Sequence, residues 1–180
     1  MSIHRFISIF GLSLALVFSA WHLAAAADPE IVGSLRFSNQ VHQALALLRS
    51  RDTNAYAIAT NYVGRIQEGN RSGMWAYKTP PTYEISDSTA FYSLTWCAAT
   101  IAHDSFHSKL YHDHLKAKGS PVPDSVWTGK EAERQCMEHQ LLVMEHIGAS
   151  KREIDHAKKQ TDGHYTEDNE TWQNYQKRKW

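Results

Sequence analysis

A long helix is predicted over residues 88–116, which read STAFYSLTWCAATIAHDSFHSKLYHDHLK. Within it, apolar side chains recur three and four residues apart, the spacing that places them on one helix face: Phe91, Leu94, Ala98, Ile101, Ala102, Phe106 and Leu110. The same stretch carries His103, Asp104 and His107. One helix therefore combines the pattern of a buried core element with residues capable of metal and proton chemistry.

Two helices and a short extended segment are predicted before this stretch. The first helix covers about residues 38–49, and the second begins at Asp52 as N-cap and ends at Gly69. Residues 74–77 and 82–85 flank a pair of prolines and are predicted to be short extended pieces.

Two further helices are predicted after it. One covers about residues 129–147 and ends at Gly148, and the last begins with the capping-box pair Ser150 and Glu153 and runs to about residue 160. The predicted fold is mainly α: one helical domain with a short β segment before the helix that carries the histidines.

Composition excludes several classes of protein. The chain has 180 residues, a length that suits one domain. Nineteen basic residues balance nineteen acidic ones, which argues against a nucleic-acid-binding surface. A mean hydropathy of −0.49 excludes a polytopic membrane protein, and six Trp, eight Tyr and six Phe supply enough apolar surface for a folded core.

The first 27 residues have the pattern of a secretory signal. Arg5 precedes an apolar run from Phe6 to Phe18, and four alanines end at Ala27. The alternatives are a membrane anchor and a buried helix, but the run is shorter than the roughly 20 residues that a bilayer requires. We therefore predict a signal peptide over 1–27, a domain over 28–160, a polar, turn-rich segment over 161–180, and a secreted or periplasmic protein without stable membrane insertion.

The two cysteines, Cys97 and Cys136, both lie in the predicted mature chain. Because exported proteins meet an oxidising compartment, we expect a disulfide between them. The alternative is two separate buried thiols.

A metal site is predicted from His103 and His107. Histidines four residues apart lie on one helix face, so both imidazoles can bind one ion. The carboxylate of Asp104 projects beside such an ion, where it can accept a proton from a metal-bound water. The alternative is a polar stripe on a half-exposed helix.

A third ligand is expected from the next helix, because catalytic zinc usually has three protein ligands. Thr128 and Glu131 have the spacing of a capping box, which would occupy Glu131 at the start of that helix. Glu133 is then free to face the histidines, and we choose it as ligand with Glu131 as the fallback. If the two helices are antiparallel, a Cys97–Cys136 bridge would clamp them beside the metal.

The pattern from His103 to His107, followed about 25 residues later by Gly129-x-x-Ala132-Glu133, resembles that of small gluzincin-type zinc metallopeptidases. It also resembles that of a group of secreted bacterial proteins with the same two helices. The likeness covers about residues 88–148. It departs from the peptidase motif at Asp104, where the family has Glu.

The resemblance implies one zinc ion on the two histidines and Glu133, with Asp104 as general base and a peptide or protein as substrate. It implies that an extended segment, here Met74 to Tyr83, forms the substrate-binding edge. The family's transition-state stabiliser lies downstream, where His164 and Tyr165 are candidates by position alone.

Two other classes of function stay open at this point. An adjacent His and Asp on a helix also occur in phospholipases and metal phosphohydrolases, so another hydrolase could use the same pair. The third possibility is a secreted, non-catalytic binding or scaffold protein with a metal or vestigial site, which the shorter Asp104 favours.

Overall fold

The computed structural model describes residues 27–161. Its helices and strands are, in chain order, β1 (Glu30–Val32), α1 (Leu35–Arg51), α2 (Thr53–Tyr62), β2 (Arg65–Gly69), β3 (Gly73–Trp75), β4 (Thr82–Ser86), α3 (Asp87–Ala90), α4 (Leu94–Lys118), α5 (Asp124–Trp127), α6 (Lys130–His146) and α7 (Lys151–Thr161). The predicted mainly helical domain with a short β segment is confirmed.

α4 is the central helix of the fold. The Ser93 side chain caps its start by accepting a hydrogen bond from the Trp96 amide, and Gly119 ends it with a φ of +80°. Residues 96–105 are all buried, as expected for a helix that is covered on every face. α4 packs against α1, α2 and α6, and this places its two histidines inside the molecule.

A four-stranded sheet lies beside this helix in the order β1-β2-β4-β3. β1, β2 and β4 are parallel, whereas β3 pairs antiparallel with β4 and forms one edge. In β4, Tyr83 and Ile85 are buried on one face of the sheet. The sheet therefore contributes an aromatic side chain to the core next to α4.

Three predicted helix boundaries are confirmed. The Asp52 side chain accepts a hydrogen bond from the Ala55 amide at the start of α2. Gly148 follows α6 with a φ of +74°, a conformation that glycine adopts readily. Ser150 and Glu153 form the predicted capping box at the start of α7.

Two predictions about the helices are wrong. The second helix ends at Tyr62 rather than Gly69, because the following residues form β2 between β1 and β4. The long helix does not start at residue 88: α3 and α4 are separate, and α4 begins at Leu94 because Ser93 caps it.

Three predicted features lie outside the described residues, wholly or in part. They are the signal peptide up to residue 26, the segment beyond residue 161, and with it His164 and Tyr165. Between residues 27 and 161, no helix has both the length and the apolar character needed to cross a bilayer.

Candidate metal centre

α4 presents His103 and His107 side by side, one helical turn apart. Their Nε2 atoms lie 3.0 Å from each other, and both side chains are buried, with 3% and 0% of their surfaces exposed. The four-residue spacing predicted this juxtaposition, which the structure confirms.

α6 supplies Glu133 to the same point. Its two carboxylate oxygens each face one imidazole: Oε2 lies 3.5 Å from His103 Nε2 and Oε1 lies 3.5 Å from His107 Nε2. The side chain is fully buried. His103, His107 and Glu133 form a group that can hold a metal ion.

Gly129 sets the position of Glu133. It is the N-cap of α6, and its carbonyl accepts the amide hydrogen bond of Glu133 at 2.9 Å. A Cβ atom on Gly129 would lie 2.8 Å from the Ser125 carbonyl oxygen and 3.0 Å from the Ser125 Cα. Only a residue without a side chain lets α6 begin this close to α5.

The spacing of these atoms fits a tetrahedral zinc ion. Zinc binds imidazole nitrogen and carboxylate oxygen at about 2.0–2.1 Å, so the ligand atoms of a tetrahedral site lie about 3.3–3.4 Å apart. The separations here are 3.0, 3.5 and 3.5 Å. Three protein ligands also leave one tetrahedral position for water or substrate, as in catalytic zinc sites.

A backbone carbonyl orients one of the histidines. His107 Nδ1 lies 2.5 Å from the carbonyl oxygen of Trp127, at the end of α5. Because a carbonyl only accepts, His107 Nδ1 carries the proton and donates it. Nε2 is then the nitrogen left to bind a metal ion beside Glu133 and His103, which is the outer-shell arrangement of metal-binding histidines. Sequence reasoning missed Trp127 because its contribution comes from the backbone and not from its side chain.

The electrostatics of the centre favour an ionised carboxylate. Burial raises the pKa of Glu133, but the charges and hydrogen bonds of His107 and His103 outweigh it and hold that pKa well below its usual range. Burial lowers the pKa of His107, yet the hydrogen-bonding contact with Cys136 and the charge of Glu133 raise it above its usual range. Glu133 is therefore a negatively charged carboxylate, the form that binds a cation.

Asp104 lies next to this group without belonging to it. Its side chain is buried and lies near the Tyr83 hydroxyl. With His103, Tyr83 and Thr100 it lines a small cavity of about 20 Å³, whose remaining walls are Trp96, Met137 and Gln140. Thr100 on α4 borders this cavity together with Gln140 on α6, whereas His107 lies beside Glu133, so the two helices run antiparallel.

The fallback ligand Glu131 is not part of the centre. Its carboxylate is 64% exposed on the outer face of α6 and forms an ion pair with Arg134 at 2.6 Å. The predicted capping box is wrong, because the Thr128 hydroxyl donates to the Asp124 carbonyl instead. Glu133 faces the histidines for a different reason: it lies on the buried side of α6.

The expected disulfide is not formed: Cys97 and Cys136 are both buried free thiols. Cys136 contacts His107, whereas Cys97 lies ten residues before His107 on α4. Ten helical residues span about 15 Å, and a disulfide needs Cα atoms within about 7 Å of each other.

No protein-family model matches this chain, and neither a curated protein nor a solved structure matches it. The resemblance to gluzincin-type peptidases thus stays a prediction from the motif.

Proposed function

We propose that this chain is an exported zinc-dependent hydrolase of the metallopeptidase type. The observation that carries the proposal is the convergence of His103, His107 and Glu133 at separations suited to tetrahedral zinc. Their number supports catalysis, because three protein ligands leave one position open. Export rests on the signal pattern of residues 1–27.

Each residue of the centre has a separate role in the proposed reaction. Bound zinc would polarise a carbonyl and lower the pKa of a coordinated water to about 7. The Trp127 carbonyl holds the His107 ring in the tautomer that leaves Nε2 as ligand. Asp104 is the proposed general base, which takes a proton from the attacking water and returns it to the leaving amine.

The proposed substrate is an extended peptide. In the segment Met74 to Tyr83, Met74 and Trp75 belong to β3, the strand at one edge of the sheet. An edge strand has unpaired backbone groups that can pair with a peptide in extended conformation. This supports the segment as the binding edge for a peptide or protein substrate.

Metal analysis tests the ligand set. We expect about one zinc ion per chain, the stoichiometry of a three-ligand site, in the purified protein after zinc is supplied. His107→Ala and Glu133→Ala should each lose it. Glu131→Ala is the matched control, since it removes an exposed carboxylate from the same helix and should keep the metal. Zinc-free unmutated protein would refute the proposal.

Turnover of a peptide library tests the reaction. We expect Asp104→Asn to keep its zinc and to lose about 10²–10⁴-fold in kcat, the usual contribution of a general base. A rate that is unchanged in Asp104→Asn would remove Asp104 from the mechanism.

Burial supports a second candidate, a non-catalytic protein that uses zinc to stabilise its helices. The three ligands are 0–3% exposed, and the adjoining cavity of about 20 Å³ is too small for a peptide. Full zinc content without hydrolysis of peptide, phosphodiester or lipid ester substrates would select this candidate.

A further inference from the structure

The small cavity beside the proposed metal ligands has the size of a water site and several polar atoms on its walls. Its volume is about 20 Å³, and a buried water requires about 10–15 Å³ and two to four polar partners. Asp104, Gln140 and Tyr83 line it with polar atoms. These polar atoms allow the cavity to hold a water, whereas purely apolar cavities stay dry.

Tyr83 contributes a hydroxyl group to this cavity from the sheet. The side chain extends from β4 toward α4 and is 1% exposed. Asp104 and Thr100 lie near its hydroxyl, but within residues 27–161 no contact of this hydroxyl reaches the distance and angle of a full hydrogen bond. Thr100 already donates its hydroxyl proton to the Cys97 carbonyl at 3.0 Å, so it can only accept from a cavity water. A buried phenol whose contacts fall short of hydrogen-bond geometry costs free energy that one water would recover.

The short side chain of Asp104 suggests what a water in this cavity would do. Aspartate is one methylene shorter than glutamate, so its carboxylate lies roughly 1.5 Å, one carbon–carbon bond, farther from the metal position than glutamate would. His103 and Asp104 both border the cavity. A water in this space therefore borders both the short carboxylate and one residue of the ligand group, His103.

We propose that Tyr83 is a positioning residue of this centre: its hydroxyl and the Asp104 carboxylate hold one water molecule in the cavity, and that water extends the reach of the shorter aspartate. The water accepts a hydrogen bond from Tyr83 and donates one to Asp104. The proposal rests on the proposed function for its catalytic consequence and on the cavity alone for the water.

A crystal structure of the zinc-soaked protein tests the water directly. We expect an ordered water within hydrogen-bonding distance of Tyr83 Oη and Asp104, and its loss in Tyr83→Phe. Asp104→Glu should lose it too, because the added methylene fills the cavity. Tyr62→Phe is the matched control: it deletes a hydroxyl that bonds Asp113 at 2.9 Å outside the centre, and it should keep the water. An empty cavity, or a water that persists in Tyr83→Phe, would overturn the proposal.

Steady-state kinetics with a peptide that the protein hydrolyses supply the second measurement. Tyr83→Phe should lower kcat about tenfold, the upper end of what one hydrogen bond to a neutral water contributes, with KM and zinc content unchanged. In an Asp104→Glu background the same substitution should have no effect, because the glutamate needs no intervening water. Equal losses in both backgrounds would overturn the positioning role.

The two proposals fail separately. Zinc-free protein, or a zinc-loaded protein that cleaves nothing, defeats the hydrolase, while the crystallographic water and its dependence on Tyr83 still decide the positioning role.

Discussion

At the scale of single residues, Gly129 has a measurable role. Its missing side chain lets α6 start against Ser125, so Gly129→Ala forces the backbone of α5 or α6 to shift. We expect a loss of about 1–3 kcal/mol in the free energy of unfolding, as for other overpacked sites, together with weaker zinc binding through Glu133. Urea unfolding and zinc titration measure the two effects. Lys130→Ala, at the exposed neighbouring position, should change stability by less than about 0.5 kcal/mol; equal behaviour of the two variants would contradict the steric argument.

Also at this scale, the sequence predicts the ligands better than their surroundings. His103 and His107 could be paired because four residues on one helix fix their relation. Glu133 does lie beside the two histidines, although the capping argument that selected it was wrong. Tyr83 and the Trp127 carbonyl could not be predicted as part of the centre, because a strand and a short helix bring them there through tertiary packing.

At the scale of elements, Glu153 links the starts of two helices. One oxygen closes the α7 capping box with the Ser150 amide at 2.8 Å, and the other accepts hydrogen bonds from Thr95 at 2.7 Å and from Ser93 at the start of α4. Burial raises the pKa of Glu153, but the hydrogen bonds from Ser150, Ser93 and Thr95 outweigh it and lower the pKa to about 2.

This carboxylate predicts a pH dependence of stability. Its folded pKa lies below the unfolded value of about 4.3, so its contribution is complete above that value and is lost as the pH falls through about 2. Glu153→Gln should cost about 1–2 kcal/mol of unfolding free energy at pH 7, and the difference should shrink between pH 4.3 and 2. Urea unfolding across that range measures it. Glu145→Gln, at an exposed site on α6, is the control; a pH-independent difference for Glu153→Gln would refute the linkage.

Element boundaries were predictable where a local interaction sets them. The Asp52 cap and the Ser150–Glu153 box act within four residues, and both were found. β2 was not predicted, because the helical pattern from Tyr62 to Ile66 is overridden by pairing of β2 with β1, 35 residues earlier in the chain, and with β4, 17 residues later. Gly64 marks the change, since a Cβ there would lie 2.5 Å from the Pro80 Cβ.

At the scale of the whole molecule, zinc should stabilise the fold by joining α4 to α6. A ligand that binds only the folded state at 1,000 times its Kd adds about 4 kcal/mol, which for a chain of this size is a rise of roughly 10 °C in Tm. Thermal unfolding with zinc and with a chelator measures the shift. Glu131→Ala should respond like the unmutated protein, and Glu133→Ala should not respond. The same Tm with and without zinc in the unmutated protein would show that the ion contributes no stability.

The burial of the two thiols determines how the folded chain responds to reducing and oxidising conditions. Burial raises the pKa of Cys97 to about 12 and that of Cys136 to about 11, so both stay protonated and are poor nucleophiles at neutral pH. The two residues are the only cysteines in the sequence, and they form no disulfide with each other. Once folded, this domain therefore has no disulfide between these two residues for a reductant to break and no accessible thiol for a disulfide-exchange enzyme, whatever the redox potential of its compartment.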